Sequence, residues 1–149
     1  MKQINKYIQE RLHINKDIES HNYYPKTNDE FQELVDKLIK ERGDDADLND
    51  IDTSEITDMT SLFYGSKFNG DISKWNVSKV KDMHMMFYMS SFNGDISNWD
   101  VSNVKDMGGL FYESPFNGDI SQWDVSNVKD MWHMFLGSPL QQNPPEWYK

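Results

Sequence analysis

Three near-identical passages, FNGDISKWNVSKVKDM from Phe68, FNGDISNWDVSNVKDM from Phe92 and FNGDISQWDVSNVKDM from Phe116, recur every 24 residues. A strict period of this size restricts the chain to architectures in which like units stack, because one such unit cannot bury its own apolar face. The array extends beyond the three copies. Ile51, Thr53, Ile56, Asp58, Met59 and Phe63 stand 24 residues before Trp75, Val77, Val80, Asp82, Met83 and Phe87, and Trp147 stands 24 after Trp123. The register sets coils at 44–67, 68–91, 92–115 and 116–139, a partial coil at 140–149 and a cap at 1–43, all in one structural domain. In the partial coil Pro144-Pro145 replaces the Ile-Ser step, and proline removes a donor and discourages further strand stacking.

Spacing within the repeat predicts how a coil closes. Ile72, Trp75 and Val77 sit at relative positions 0, 3 and 5, the apolar part of the leucine-rich pattern, which predicts a short strand at Lys74–Val77. Val80, Met83, Met86 and Phe87 predict a helical or 3-10 turn within Met83–Met89 on the return leg. The expectation is an α/β fold: a leucine-rich-repeat-like, right-handed solenoid of about four and a half coils with a short parallel sheet, capped by N-terminal helices.

The front end supplies the helices. Ile4, Tyr7, Ile8 and Leu12 predict a short first helix. Thr27 and Glu30 form a capping box after Pro25, the stripe Phe31, Leu34, Val35, Leu38 and Ile39 follows, and Gly43 is the expected stop. That stripe is expected to cover Leu48, Ile51 and Ile56 at the open end of the first coil.

Charge separates the two regions. Residues 1–43 carry 8 basic and 8 acidic groups, whereas 44–149 carry 7 basic and 17 acidic, so the net charge of −10 belongs to the repeats. Direct nucleic-acid binding is disfavoured, since a phosphate footprint needs clustered Lys and Arg, while a basic protein partner is admissible. No stretch approaches the roughly 18 apolar residues of a membrane helix, the start MKQINKYIQERLHINK has no apolar secretion core, and cysteine is absent. The expected compartment is cytoplasmic, with no membrane association and a monomer or weakly self-associating state.

The pattern FNGDISxWxVSxVKDMxxMF, behind a helix ending in ERGDDADLNDIDTSEITDM, resembles the BspA-like leucine-rich-repeat family of bacterial surface proteins and related phage and prophage proteins. The resemblance covers about Tyr24 to Phe135. It implies a repeat fold used as an adhesion or protein-interaction scaffold, with no catalytic residue in the pattern. The short front end looks more like the compact phage or mobile-element versions.

Features that suggest chemistry each have a structural alternative. Asn69-Gly70-Asp71 and its copies at Asn93 and Asn117 offer oxygens to calcium, yet Asn-Gly is also a turn dipeptide whose Asp accepts backbone N–H bonds. Asp58, Asp82, Asp106 and Asp130 form a second acidic row, read as turn caps. Trp75, Trp99, Trp123 and Trp147 offer stacking platforms if exposed, but their place on the apolar pattern favours a buried ladder. His13, His21, His84 and His133 lack metal spacing and are read as solvated, and no thiol nucleophile or Gly-rich phosphate loop is present. No enzyme, metal or cofactor is expected.

Recognition is therefore sought where the copies disagree. One candidate surface is polar and increasingly acidic: Lys74, Asn76, Asn98, Asp100, Gln122 and Asp124, outward on the expected strand. The other is aromatic and Met-rich: Met85, Tyr88, Met89, Tyr112, Trp132 and His133, alongside Tyr64. The function expected is a non-enzymatic protein-protein interaction module. The alternatives are an intracellular phage-type inhibitor whose acidic face fills a basic cleft on a host effector or nuclease, and a structural virion or cell-surface adhesion component.

Overall fold

The computed structural model describes residues 20–149. The helix expected around Ile4 to Leu12, and His13, lie outside them.

Helix α1 spans Asn28–Arg42. Thr27 caps it by accepting the Glu30 N–H at 3.1 Å, and the Glu30 carboxylate turns back to the Lys26 N–H at 2.8 Å. Gly43, at φ 96°, ends it while donating to the Ile39 carbonyl at 2.7 Å. Phe31, Val35 and Leu38 are buried, and Leu34 and Ile39 pack half-buried beside them. The stripe covers the first coil as expected: Leu48, Ile51 and Ile56 are no more than 1% exposed. Arg42 adds a polar clasp, pairing with Asp50 at 2.9 Å and 3.0 Å and donating to the Asp47 carbonyl at 3.0 Å.

The coils behind α1 stack with a core dominated by aromatic rings. Phe63, Phe87, Phe111 and Phe135 follow one another at 5.6, 5.6 and 6.0 Å between ring centroids. Phe68, Phe92 and Phe116 make a second column at 6.3 and 6.2 Å, and in the tryptophan row Trp75 stacks on Trp99 and Trp123 on Trp147, each at 6.5 Å. The first two columns touch where one coil passes into the next, as Phe87 and Phe92 do at 4.5 Å. The glycine of Asn-Gly-Asp answers to this packing. A Cβ on Gly70 would lie 1.9 Å from the Ala46 carbonyl oxygen and 2.6 Å from the Phe68 ring.

The expected α/β solenoid with a parallel sheet is not what forms. Among the described residues there is one α-helix, a single 3-10 turn at Pro139–Gln141 and no strand; coils meet through isolated parallel bridges such as Asp58↔Asp82, Asp82↔Asp106 and Asp106↔Asp130. The leg expected to be a strand closes on itself instead. Asp71 Oδ1 accepts the Ser73 N–H, Trp75 N–H donates to the Ile72 carbonyl, Asn76 Oδ1 accepts the Ser78 N–H, and Val80 N–H donates to the Val77 carbonyl. Donors spent in local turns cannot build a ladder between coils.

The other leg supplies the inter-coil bonds, and it is not helical. The N–H groups of Met83, Met85, Phe87 and Met89 donate to the carbonyls of Asp106, Gly108, Leu110 and Tyr112 at 3.0, 2.9, 3.0 and 2.7 Å. Those of Met86, Tyr88 and Ser90 turn inward to Met83, Met85 and Phe87. Alternate N–H groups thus leave the segment, and Met85 and Met89 take φ of 54° and 52°, so the i, i+3 pattern is a run of turns rather than a helix.

Candidate interaction surface

The residues shared by every copy are committed to building the coil. Trp75, Trp99 and Trp123 are each 4% exposed, and their indole N–H groups donate to Leu48, Ile72 and Ile96 carbonyls at 2.9, 3.1 and 3.1 Å. Trp147 is half-buried and makes the same bond to Ile120 at 2.9 Å. A buried indole needs such a partner, and the rings pack against a neighbouring tryptophan and against Phe63, Phe87 and Phe111. The row of Asp58, Asp82, Asp106 and Asp130 caps turns, each Oδ1 accepting the N–H two residues on at 2.8 Å.

The Asn-Gly-Asp corners are likewise occupied. Asp71, Asp95 and Asp119 each accept the backbone N–H of the serine two residues on and its hydroxyl, the latter at 2.6 Å. Those serine hydrogen bonds hold all three carboxyls below the usual carboxylate range. Asn93 and Asn117 N–H groups bond to the Asn69 and Asn93 side-chain oxygens of the preceding coil at 2.8 and 2.9 Å. Among the described residues no three His, Asp or Glu side chains converge as a metal ligand set would.

The candidate polar residues fall on the leg of local turns. Lys74, Asn76, Asn98, Asp100, Gln122 and Asp124 are all exposed. Asn76, Asp100 and Asp124 occupy equivalent positions and make one and the same turn, accepting the N–H and hydroxyl of Ser78, Ser102 and Ser126. In Asp124 the serine bonds again lower the carboxyl pKa. Asp100 and Asp124 join Asp95 and Asp119 in a stretch, 82–128, with seven acidic residues and the single cation Lys105.

The aromatic candidates gather on the opposite leg of the repeat. Tyr64, Tyr88 and Tyr112 stack in parallel at 5.0 and 4.4 Å, Tyr112 meets His133 at 6.4 Å, and His133 stacks on Trp132 at 4.2 Å. Tyr64, Met89 and Trp132 are each about half exposed. Loss of hydration and the neighbouring Tyr112 and Tyr64 raise the Tyr88 phenol. Met85 is half-buried, against the space a Gly109 side chain would take. Because the tyrosine faces are stacked on one another, this column offers edges and hydroxyls rather than open ring faces. His84 corrects the solvated reading: one-third exposed, it sits with Nδ1 3.2 Å from Asp106 Oδ1.

Sequence reasoning missed two things. Asp95 and Asp119, which the turn dipeptide marks only as corner residues, also face solvent. Leu136, at the tyrosine position of the last full coil, is 36% exposed. The signal for both was available in the periodic alignment of the copies.

A chain whose shared residues make turns, indole bonds and ring columns between 24-residue units is a repeat protein of stacked coils. It belongs to the family described as Mycoplasma protein of unknown function, DUF285, a BspA-like repeat family, which matches residues 29–147. No curated protein and no solved structure matches the chain. Among the described residues no helix is long and apolar enough to cross a membrane.

Proposed function

We propose that this protein is a non-enzymatic interaction module that binds a basic protein partner along the lateral surface of its coils. The observation that carries the reading is the imbalance of seven acidic residues to one lysine over 82–128, with Asp95, Asp100, Asp119 and Asp124 each anchored through one oxygen to a serine. Anchoring fixes the carboxylates before binding, so little side-chain entropy is lost when a cation meets the second oxygen. Opposite potentials of this kind accelerate encounter and select partners. Membership of a BspA-like repeat family supports the reading of a scaffold, and the compartment that we propose for it is the cytoplasm.

The phage-type inhibitor reading is a specific form of the same proposal, with the acidic face seated in a basic cleft of a host effector. Capture of partners from host lysate at two salt concentrations, with the natural chain and with Asp100→Lys and Asp124→Lys, tests it. The expected result is capture that weakens with salt and is lost in the double variant. Capture indifferent to both would overturn the proposal.

A further inference from the structure

One residue interrupts a row of aspartates on the leg of local turns. Asp52, Asn76, Asp100 and Asp124 hold one slot in successive coils, and the side-chain oxygen of each accepts the N–H two residues on, at 2.9, 3.0, 3.1 and 3.0 Å. The hydroxyls of Ser78, Ser102 and Ser126 add a second bond to the same oxygens at 2.6 Å. Of the four, only Asn76 brings an amide nitrogen to the slot. It is also the one asparagine of the chain with a serine or threonine two residues on, and Val77 rather than proline stands between. Asn-x-Ser is the acceptor signature for attachment of a sugar to an asparagine side chain.

The fold presents this amide as an acceptor requires. Asn76 is exposed, while Trp75 and Val77 on either side of it are buried and hold the backbone to the core. A backbone N–H can only donate, so the atom that meets the Ser78 N–H is the carbonyl oxygen Oδ1 and the other is the nitrogen Nδ2. Among the described residues Nδ2 has no hydrogen-bond partner, whereas the amides of Asn103 and Asn127 are spent on the Ser78 and Ser102 carbonyls at 2.6 Å. The turn therefore fixes the amide and the serine hydroxyl together before any transfer and leaves the nitrogen open. Such placement lowers the entropy lost on reaching a reactive geometry.

We infer that Asn76 is an attachment site for a sugar, delivered as a diphosphate ester on a nucleoside or a lipid carrier. Nδ2 attacks the anomeric carbon; the C–N bond forms as the C–O bond to the diphosphate breaks, the diphosphate leaves with the bonding pair, and the amide gives one proton to a base of the transferring enzyme. No oxidant or reductant is needed. Asp52, Asp100 and Asp124 make the same turn without the nitrogen, so the modification is confined to one coil. The site does not rest on the acidic-surface reading, and either can fail alone.

The test has two parts. The folded full chain is incubated with uridine-diphosphate glucose and a soluble asparagine N-glycosyltransferase, and the chain isolated from its natural cells is analysed by mass spectrometry alongside. Trypsin cuts after Lys74 and Lys79 and releases the acceptor as peptide 75–79. The expected result is one hexose on that peptide in vitro and a sugar mass on it in the natural chain. There a single hexose assigns a nucleotide-linked donor and an oligosaccharide a lipid-carried one, and both support the site. Asn76→Asp keeps the turn that Asp100 makes but lacks the nitrogen, so an unchanged melting temperature with no incorporation is expected. Ser78→Ala is expected to cut incorporation about tenfold or more, and Ser78→Thr to retain it. Asp100→Asn builds a second Asn-Val-Ser in the same turn and is expected to accept a second hexose. A bare peptide 75–79 in the natural chain, no transfer to the folded chain in vitro, or transfer undiminished in Asn76→Asp or Ser78→Ala overturns the inference.

Discussion

Trp99 is both wall and bolt, since its ring stacks on Trp75 of the coil before while its N–H closes the Ile72 carbonyl there. Trp99→Ala removes both, and a loss of about 3–5 kcal/mol is expected in urea unfolding. An unchanged unfolding midpoint would contradict the buried role. The aspartates act in the opposite regime, at the surface. Serine hydrogen bonds lower the carboxyl pKa of Asp95, Asp119 and Asp124, although Asp71 and Asp119 push Asp95 the other way. A lowered folded value means stabilisation that is complete above the ordinary carboxylate pKa near ~3.9 and is lost as pH falls through the folded values. Asn76 already makes the same turn with an uncharged side chain. The triple variant D95N/D119N/D124N is therefore expected to keep the fold and to show a shallower fall of melting temperature below about pH 4 than the natural chain. Parallel pH profiles would show that these carboxylates do not contribute to the acid transition.

Helix α1 was legible because its signals are local: a cap at Thr27, a stripe at helical spacing and a stop at Gly43. Leu38→Ala opens a cavity in that stripe, with an expected cost of about 2–5 kcal/mol and binding of a hydrophobic dye where α1 lifts from Leu48, Ile51 and Ile56. The return legs were legible only in part. Apolar spacing at Ile72, Trp75 and Val77 correctly marks buried side chains, but it is silent on where the backbone N–H groups go. Asp71 and Asn76 capture them into turns, so the predicted strand at Lys74–Val77 does not form. The ladder moves to Met83–Met89, where an apolar i, i+3 pattern suggests a helical or 3-10 turn; Met86 and Tyr88 do make i, i+3 turns, but alternate N–H groups reach the next coil. Periodicity reports burial, and two backbone geometries can share one burial pattern. The candidate surface was legible to the same extent: exposure of Asp100, Asp124 and Trp132 follows from unlike residues in equivalent slots, whereas the tyrosine stack and the His84 contact with Asp106 depend on coil spacing.

At the scale of the whole molecule, the bonds and ring contacts described between coils join neighbours one period apart, which makes the chain a one-dimensional array. Deleting residues 92–115 joins Ser91 to Phe116 in the register that Phe92 held. The shortened chain is expected to fold with the same circular dichroism signature and a lower melting temperature, while deletion of 92–103 alone breaks the register and the fold. Cooperative unfolding of both, or of neither, would contradict a stack held by its period. The sequence by itself determined the period, the number of coils, the cap, the buried columns and the placement of negative charge, because these depend on residue type and spacing alone. Only the tertiary structure decided which leg carries the inter-coil bonds and that no sheet forms among the described residues. Those outcomes turn on competition for backbone donors between a residue's own turn and the coil beside it, and that competition is settled when the coils meet.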